Sequence, residues 1–218
     1  MSRRDRPKSP VYLDSGGVDV SPEELAVILH GANSVIHRGG RSQLVKLLKG
    51  SRDKKILELG LDADDSYGAL SHLTLKEIAH RVDWAIVKGY LDYYYEWRQP
   101  LLMFTERGWE LEKPVVVEGY YQQFCRDVDD GEMRMAERMV GIKNDVQLGI
   151  IELIGQRCDE RCFEHLETWS GKTTKRIRKK IGWAQRTIRA REEESAGYES
   201  KGTAPFGSAL GRAAGFRG

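Results

Sequence analysis

The chain has 218 residues, 40% of them hydrophobic and 31% charged, which is enough apolar material for one or two packed domains under a well-solvated surface. The formal net charge is +2, so affinity for nucleic acid has to come from how charge is distributed rather than from its sum. No apolar run approaches the ~20 residues of a membrane span, MSRRDRPKSP lacks the apolar stretch of a secretory signal, and three cysteines, all late in the chain, suit a reducing cytoplasm better than a disulfide framework.

Residues 1–20 are rich in Arg, Pro, Ser, Gly and Asp and read as a flexible basic arm. The block 21–113 opens on a helix start, with Ser21 as cap, Pro22 in the first turn and Glu24 completing a capping box. Leu25, Ile28, Leu29, Ala32, Val35 and Ile36 follow at helical spacing, and Gly39-Gly40 ends the run. A second short helix carries Leu44, Val45, Leu47 and Leu48 and closes at Gly50-Ser51. RDKKILELG then reads as a connector, basic first and apolar after. Thr74 and Glu77 form a second capping box before a third helix with the stripe Leu75, Ile78, Ala79, Val82, Ala85 and Ile86, which Gly89 stops. YLDYYY (90–95) and LLMFT (101–105) read as the strands of a hairpin around EWRQP. Three helices and then a hairpin is the order of a winged helix-turn-helix.

The second block, 114–194, is joined near Lys113-Pro114 and reads as an α-helical domain, with helices over 131–139, 144–155 and 159–169 and a last one from Ser170. From Lys172 to Arg191 there are nine basic residues and no acidic ones, above an apolar stripe of Ile177, Ile181, Ala184 and Ile188. Lys175, Arg176, Lys179, Lys180 and Arg186 make this a secondary basic surface for phosphates. The same pattern describes a solvated amphipathic helix, or one docked on Asp127, Asp129 and Asp130. SGKTT at 170–174 is not a phosphate loop: Leu166 stands where glycine is required, and Ser170 as a helix cap is the simpler account. Cys158, Cys162 and His165 fall on one helical face, with Cys125 as a fourth candidate ligand. Paired CxxC spacings are missing, core thiols are the simpler reading, and neither a metal nor another cofactor is expected. No carboxylate pair or Ser-His-Asp arrangement stands out, so no enzyme activity is expected. The stretch 195–218, rich in Gly and Ala, reads as a disordered tail.

The first block resembles the RQC domain, the winged helix that follows the motor of RecQ-family DNA helicases. The likeness rests on LLKGSRDKKI at 47–56, DSYGALSHLTLKEI at 65–78 and the paired ending VKGYL…LLMFT at 87–105. The family's Leu-(Arg/Lys)-Gly-Ser element, Tyr-Gly dipeptide, helix, Gly-apolar exit and wing map onto Leu48-Lys49-Gly50-Ser51, Tyr67-Gly68, the helix from Thr74, Gly89-Tyr90-Leu91 and Phe104-Thr105. The chain departs from the family in three ways. It carries no motor lobes, has no cysteine before Cys125 to build the usual zinc module, and reads Leu70-Ser71-His72 where the family places Gly-(Lys/Arg)-Asp. The chain thus looks like a stand-alone, minor branch of the group.

The resemblance implies DNA contacts at the turn after the second helix, the start of the third helix and the wing. The matching positions are Ser51, Arg52, Lys54 and Lys55 in a compact basic loop, then Lys76, His80 and Arg81 on the third helix, and Tyr95, Trp97 and Arg98 at the wing. Cations neutralise phosphates, and a wing aromatic can stack on a terminal base pair. Glu77 and Asp83 argue against deep insertion of the third helix in a major groove. Trp84 reads as packing rather than contact. The expected fold is mainly α with a small β-wing, a winged helix-turn-helix followed by an α-helical domain. The expected function is non-catalytic binding of duplex, forked or end-containing DNA. Two other functions fit the same residues: a module docking a helicase or nuclease, and a transcription regulator dimerised by its helical block.

Overall fold

A computed structural model describes residues 11–97 and 99–202. Residues 1–10, Arg98 and 203–218 lie outside the described residues. The chain divides into two compact units, 1–117 and 118–218.

In the first unit, α1 spans Pro22–Val35, α2 Arg41–Lys49, α3 Lys54–Glu58 and α4 Leu75–Val87; β1 is Leu91–Glu96 and β2 Gln99–Phe104. Both capping boxes form: Ser21 and Glu24 exchange bonds at the start of α1, as do Thr74 and Glu77 at the start of α4. Ile28, Leu44, Leu47, Leu48, Ile56, Ile78 and Val82 are fully buried in one core, each contributing about 1.5–3 kcal/mol of apolar burial. Helix α1 ends at Val35, sooner than Gly39-Gly40: Ile36 leaves helical geometry (ψ 131°) and His37 follows in a left-handed conformation (φ 59°). Helix α3 lies in the segment read as a connector: Asp53 caps it by accepting from the Lys55 N–H, and Ile56 anchors it. Residues 11–20 do not hang free. Val20 is buried, Leu13 and Val18 pack on the core, and the Asp14 N–H donates to Asp83 at 2.8 Å.

The wing is antiparallel, with Leu91 opposite Phe104 and Glu96 opposite Gln99, so its connection is two residues long and tighter than EWRQP suggested. Segment 37–39 covers the free edge of β2 through His37 N–H to Leu102 O (3.2 Å) and Leu102 N–H to Gly39 O (3.0 Å), which removes an exposed strand edge. At the open end, the Thr105 hydroxyl bonds to the carbonyls of Gly89 (2.7 Å) and Tyr90 (3.1 Å).

Helix α5 runs over Glu106–Asp130 and passes through Pro114, the position read as the joint. The second unit contains its distal part, then α6 (Arg134–Arg138), α7 (Asn144–Arg157), α8 (Phe163–Gly171) and α9 (Lys175–Gly202). Phe124, Ile150, Ile154, Leu166, Trp169, Ile177, Ala184 and Ile188 are fully buried. The apolar stripe of α9 is thus a packing face, and α7 is its main neighbour. Ser170 does not start that helix: it lies in the last turn of α8, and α9 opens at Lys175. Helix α9 also continues past Ser195, where a tail was expected. No helix among the described residues is long and apolar enough to cross a membrane.

Candidate nucleic-acid interface

The loop after α2 is built on two glycines. Gly50 (φ 75°) and Gly68 (φ 75°) face each other so closely that a β-carbon on Gly50 would lie 3.1 Å from the Gly68 Cα. The turn carrying Gly68 then satisfies the end of α2, with Gly68 N–H on Leu47 O and Leu70 N–H on Leu48 O, both 2.9 Å. The Lys-Gly-Ser and Tyr-Gly elements are therefore two halves of one junction. Lys49 tightens it by donating to the carbonyls of Ser71 (2.6 Å) and Leu73 (2.8 Å), which ties the 50–53 loop to the entrance of α4. Leu70, at the position of the family's glycine, is buried.

Among the candidate contacts this brings together, Arg52, Lys54 and Lys76 are exposed, while Ser51 and Lys55 are half-buried. No acid among the described residues pairs with Arg52 or Lys76; Lys54 meets Glu58 at 3.5 Å, one helical turn away. Lys46, which the periodicity hid, donates to Asp53 at 2.8 Å and is the main cause holding that carboxyl below its usual range.

Helix α4 contributes less than its sequence suggested. His80 lies under residues 14–17 and faces Asp14 at 3.4 Å. Arg81 donates to Glu24 at 2.8 Å and keeps that carboxylate below the usual range. Both side chains are 17% exposed and already occupied, so neither is presented to a phosphate. Asp83 is not a surface charge either. It is fully buried and paired with Arg41, one of whose nitrogens donates to it at 2.8 Å. It falls four residues after Ala79, on the edge of the apolar stripe. Trp84 packs as expected, stacked on Tyr90 at 6.1 Å, and the Arg107 guanidinium lies 4.1 Å from the Tyr90 ring centre.

On the wing the aromatics separate. Tyr93 turns inward; burial pushes its hydroxyl up to about 12, and that oxygen has no partner among the described residues. Tyr95 is half-buried. Tyr94, on the opposite face, meets His37 edge-on at 5.7 Å. Trp97 opens the two-residue connection at φ 57° and is 89% exposed. Arg98 lies outside the described residues.

In the second unit, Lys175, Arg178, Lys179, Gly182 and Arg186 line a groove of about 710 Å³ along one side of α9. The spacing repeats every three to four residues, and Gly182 leaves a notch in mid-groove. Arg178 bonds to the carbonyls of Ser170 and Thr173, whereas Lys175, Lys179 and Arg186 are exposed with no acid paired to them among the described residues. Arg176 is also exposed. Lys180 is set apart: it pairs with Glu152 of α7 and lies 3.5 Å from the Trp183 ring centre. Of the three acids considered as docking partners for α9, Asp127 is engaged with the Met135 N–H and Asp129 with Arg161.

Cys158, Cys162 and His165 do not share a helical face. Cys158 is the extended residue that ends α7, Cys162 closes a 3-10 turn, and His165 in α8 bonds to Glu132 O at 2.8 Å.

The RQC domain family model matches residues 18–117, the whole of the winged helix and the first part of α5. No curated protein matches the chain, and no solved structure does. The RQC domain is a DNA-binding winged-helix module. The paired glycines, the Lys49 clasp and the Thr105 lock all lie in the segment 18–117, which is similar to the RQC domain family.

Proposed function

We propose that this protein binds DNA without catalysing a reaction on it, and that its winged helix engages duplex ends or forks. The observation that carries this reading is Trp97, 89% exposed at the tip of the wing. An indole open to solvent at a loop tip is free to stack on a flat aromatic partner. A base pair with an open face, found at a blunt end or a fork, has the right shape and chemistry. Arg52, Lys54, Lys55 and Lys76 neutralise phosphates beside the α4 entrance, and the α9 groove is a second phosphate-binding surface. The domain recognises an end and leaves strand separation to a partner enzyme.

Stacking on one base is worth about 1–3 kcal/mol. Trp97→Ala is therefore expected to weaken binding to blunt and forked DNA by roughly 5- to 150-fold, with a much smaller effect on a closed circular duplex. A gel-shift titration on the three substrates at fixed salt checks this. Equal losses of affinity on all three remove the end-stacking role.

A further inference from the structure

The second unit holds the chain's three thiols, Cys125, Cys158 and Cys162, around one cavity of about 190 Å³. Cys125 projects from α5, and Cys158 ends α7 in an extended conformation (φ −83°, ψ 165°). Their Sγ atoms are 4.0 Å apart, and the Cys158 thiol also reaches the Tyr121 hydroxyl at 3.8 Å. Both of these cysteines are partly exposed, whereas Cys162 is 1% exposed. Solvent-borne oxidants reach the first two and not the third.

We propose that Cys125 and Cys158 are an oxidation site that closes to an intradomain disulfide, with Cys162 remaining a free thiol. An S–S bond is about 2.05 Å long, so the sulfurs approach by roughly 2 Å. Cys158 leaves helical geometry at the end of α7 with its N–H still on Ile154 O at 3.0 Å, so rotation of the two side chains about their Cα–Cβ bonds supplies that movement. The proposal is independent of the DNA-binding reading.

With hydrogen peroxide as oxidant the chemistry balances. One thiolate attacks a peroxide oxygen, the O–O bond breaks, and the cysteine becomes a sulfenic acid as the first water leaves. The second thiol attacks that sulfur, the S–S bond forms, and the hydroxyl departs as a second water. Two thiols lose two electrons and two protons, and the peroxide is reduced to water. The Cys158 thiol stands at about 11: its bond with Cys125 favours the thiolate, while a bond with Cys162 and burial oppose it. Cys125 is raised further, chiefly by its bond with Cys158. Oxidation is consequently slow at neutral pH and accelerates as the pH rises.

The bond would tie α5 to the end of α7, where Arg191 of α9 bonds to the carbonyls of Gly155, Gln156 and Cys158. Treatment of the reduced full-length protein with hydrogen peroxide, followed by non-reducing peptide mapping, tests the site. The expected product is a Cys125–Cys158 linked peptide lighter by two hydrogens, with Cys162 alkylatable after denaturation. The melting temperature should rise by roughly 5–15 °C, and dithiothreitol should reverse it. Cys162→Ser is expected to leave the link intact. A link to Cys162, a disulfide between two molecules, or sulfinic acid on unlinked cysteines overturns the proposal. The wild-type map decides this even where Cys125→Ser or Cys158→Ser fails to fold.

Discussion

Gly50 and Gly68 share a backbone angle but not an environment. Any side chain at φ 75° costs about 1–2 kcal/mol, and at Gly50 the added carbon would also press on the Gly68 backbone at 3.1 Å; at Gly68 the nearest approach is 3.6 Å. Gly50→Ala is therefore expected to lower the unfolding midpoint in urea more than Gly68→Ala. Equal decreases would mean that the backbone angle, not the close approach, sets the requirement. Glu112 offers a second test at this scale. Its side chain is 2% exposed and accepts from His30 at 3.0 Å. Burial raises its carboxyl above the ordinary 4.5, and the His30 bond opposes part of that rise. The folded chain thus keeps a proton that the unfolded chain releases, and stability falls as pH rises upward from that value. Glu112→Gln cannot lose this proton, so urea curves across pH should show the variant gaining on wild type as the pH rises.

At the scale of elements, the sequence was most informative where a local chemical rule acts. The capping boxes at Ser21 and Thr74 need only residues three apart, and both helices begin where those residues place them. The wing's existence was legible from one aromatic run, YLDYYY, and one apolar run, LLMFT, on either side of a short polar stretch. Contacts between distant segments were not. The Arg41–Asp83 pair spans 42 residues and the Arg81–Glu24 pair 57, so nothing local marks those charges as occupied. The same reason hid the covering of His80 by residues 14–17. Pro114 removes one backbone donor and normally ends a helix, yet α5 continues around it, and the two compact units divide a few residues later, at 117/118. Of the nine basic residues from Lys172 to Arg191, eight lie on α9, and packing divides them. Lys180 goes to Glu152, while Lys175, Lys179 and Arg186 remain available. Replacing those three with Ala should lower the dependence of log K on log salt by about 0.9 for each phosphate that is no longer neutralised, read from binding titrations across salt. An unchanged slope would assign the groove to solvent.

Across the whole molecule, a net charge of +2 conceals a division of labour. The wing offers shape with little charge, and the α9 groove offers charge with little shape. The two variant sets should therefore act independently. Trp97→Ala should change which DNA structure is preferred and leave the salt slope alone; the α9 triple variant should change the slope and leave the preference alone. One variant moving both quantities would show that the surfaces read the same feature. The wing tip carries a last implication. Trp97 occupies a left-handed backbone angle at which a bulky residue costs about 1–2 kcal/mol and glycine almost nothing. Trp97→Gly should consequently yield a sturdier hairpin on a protein that no longer grips DNA ends. On the end-stacking proposal, the residue best suited to the turn is the wrong one for the task, and the tip keeps its tryptophan at a cost in stability.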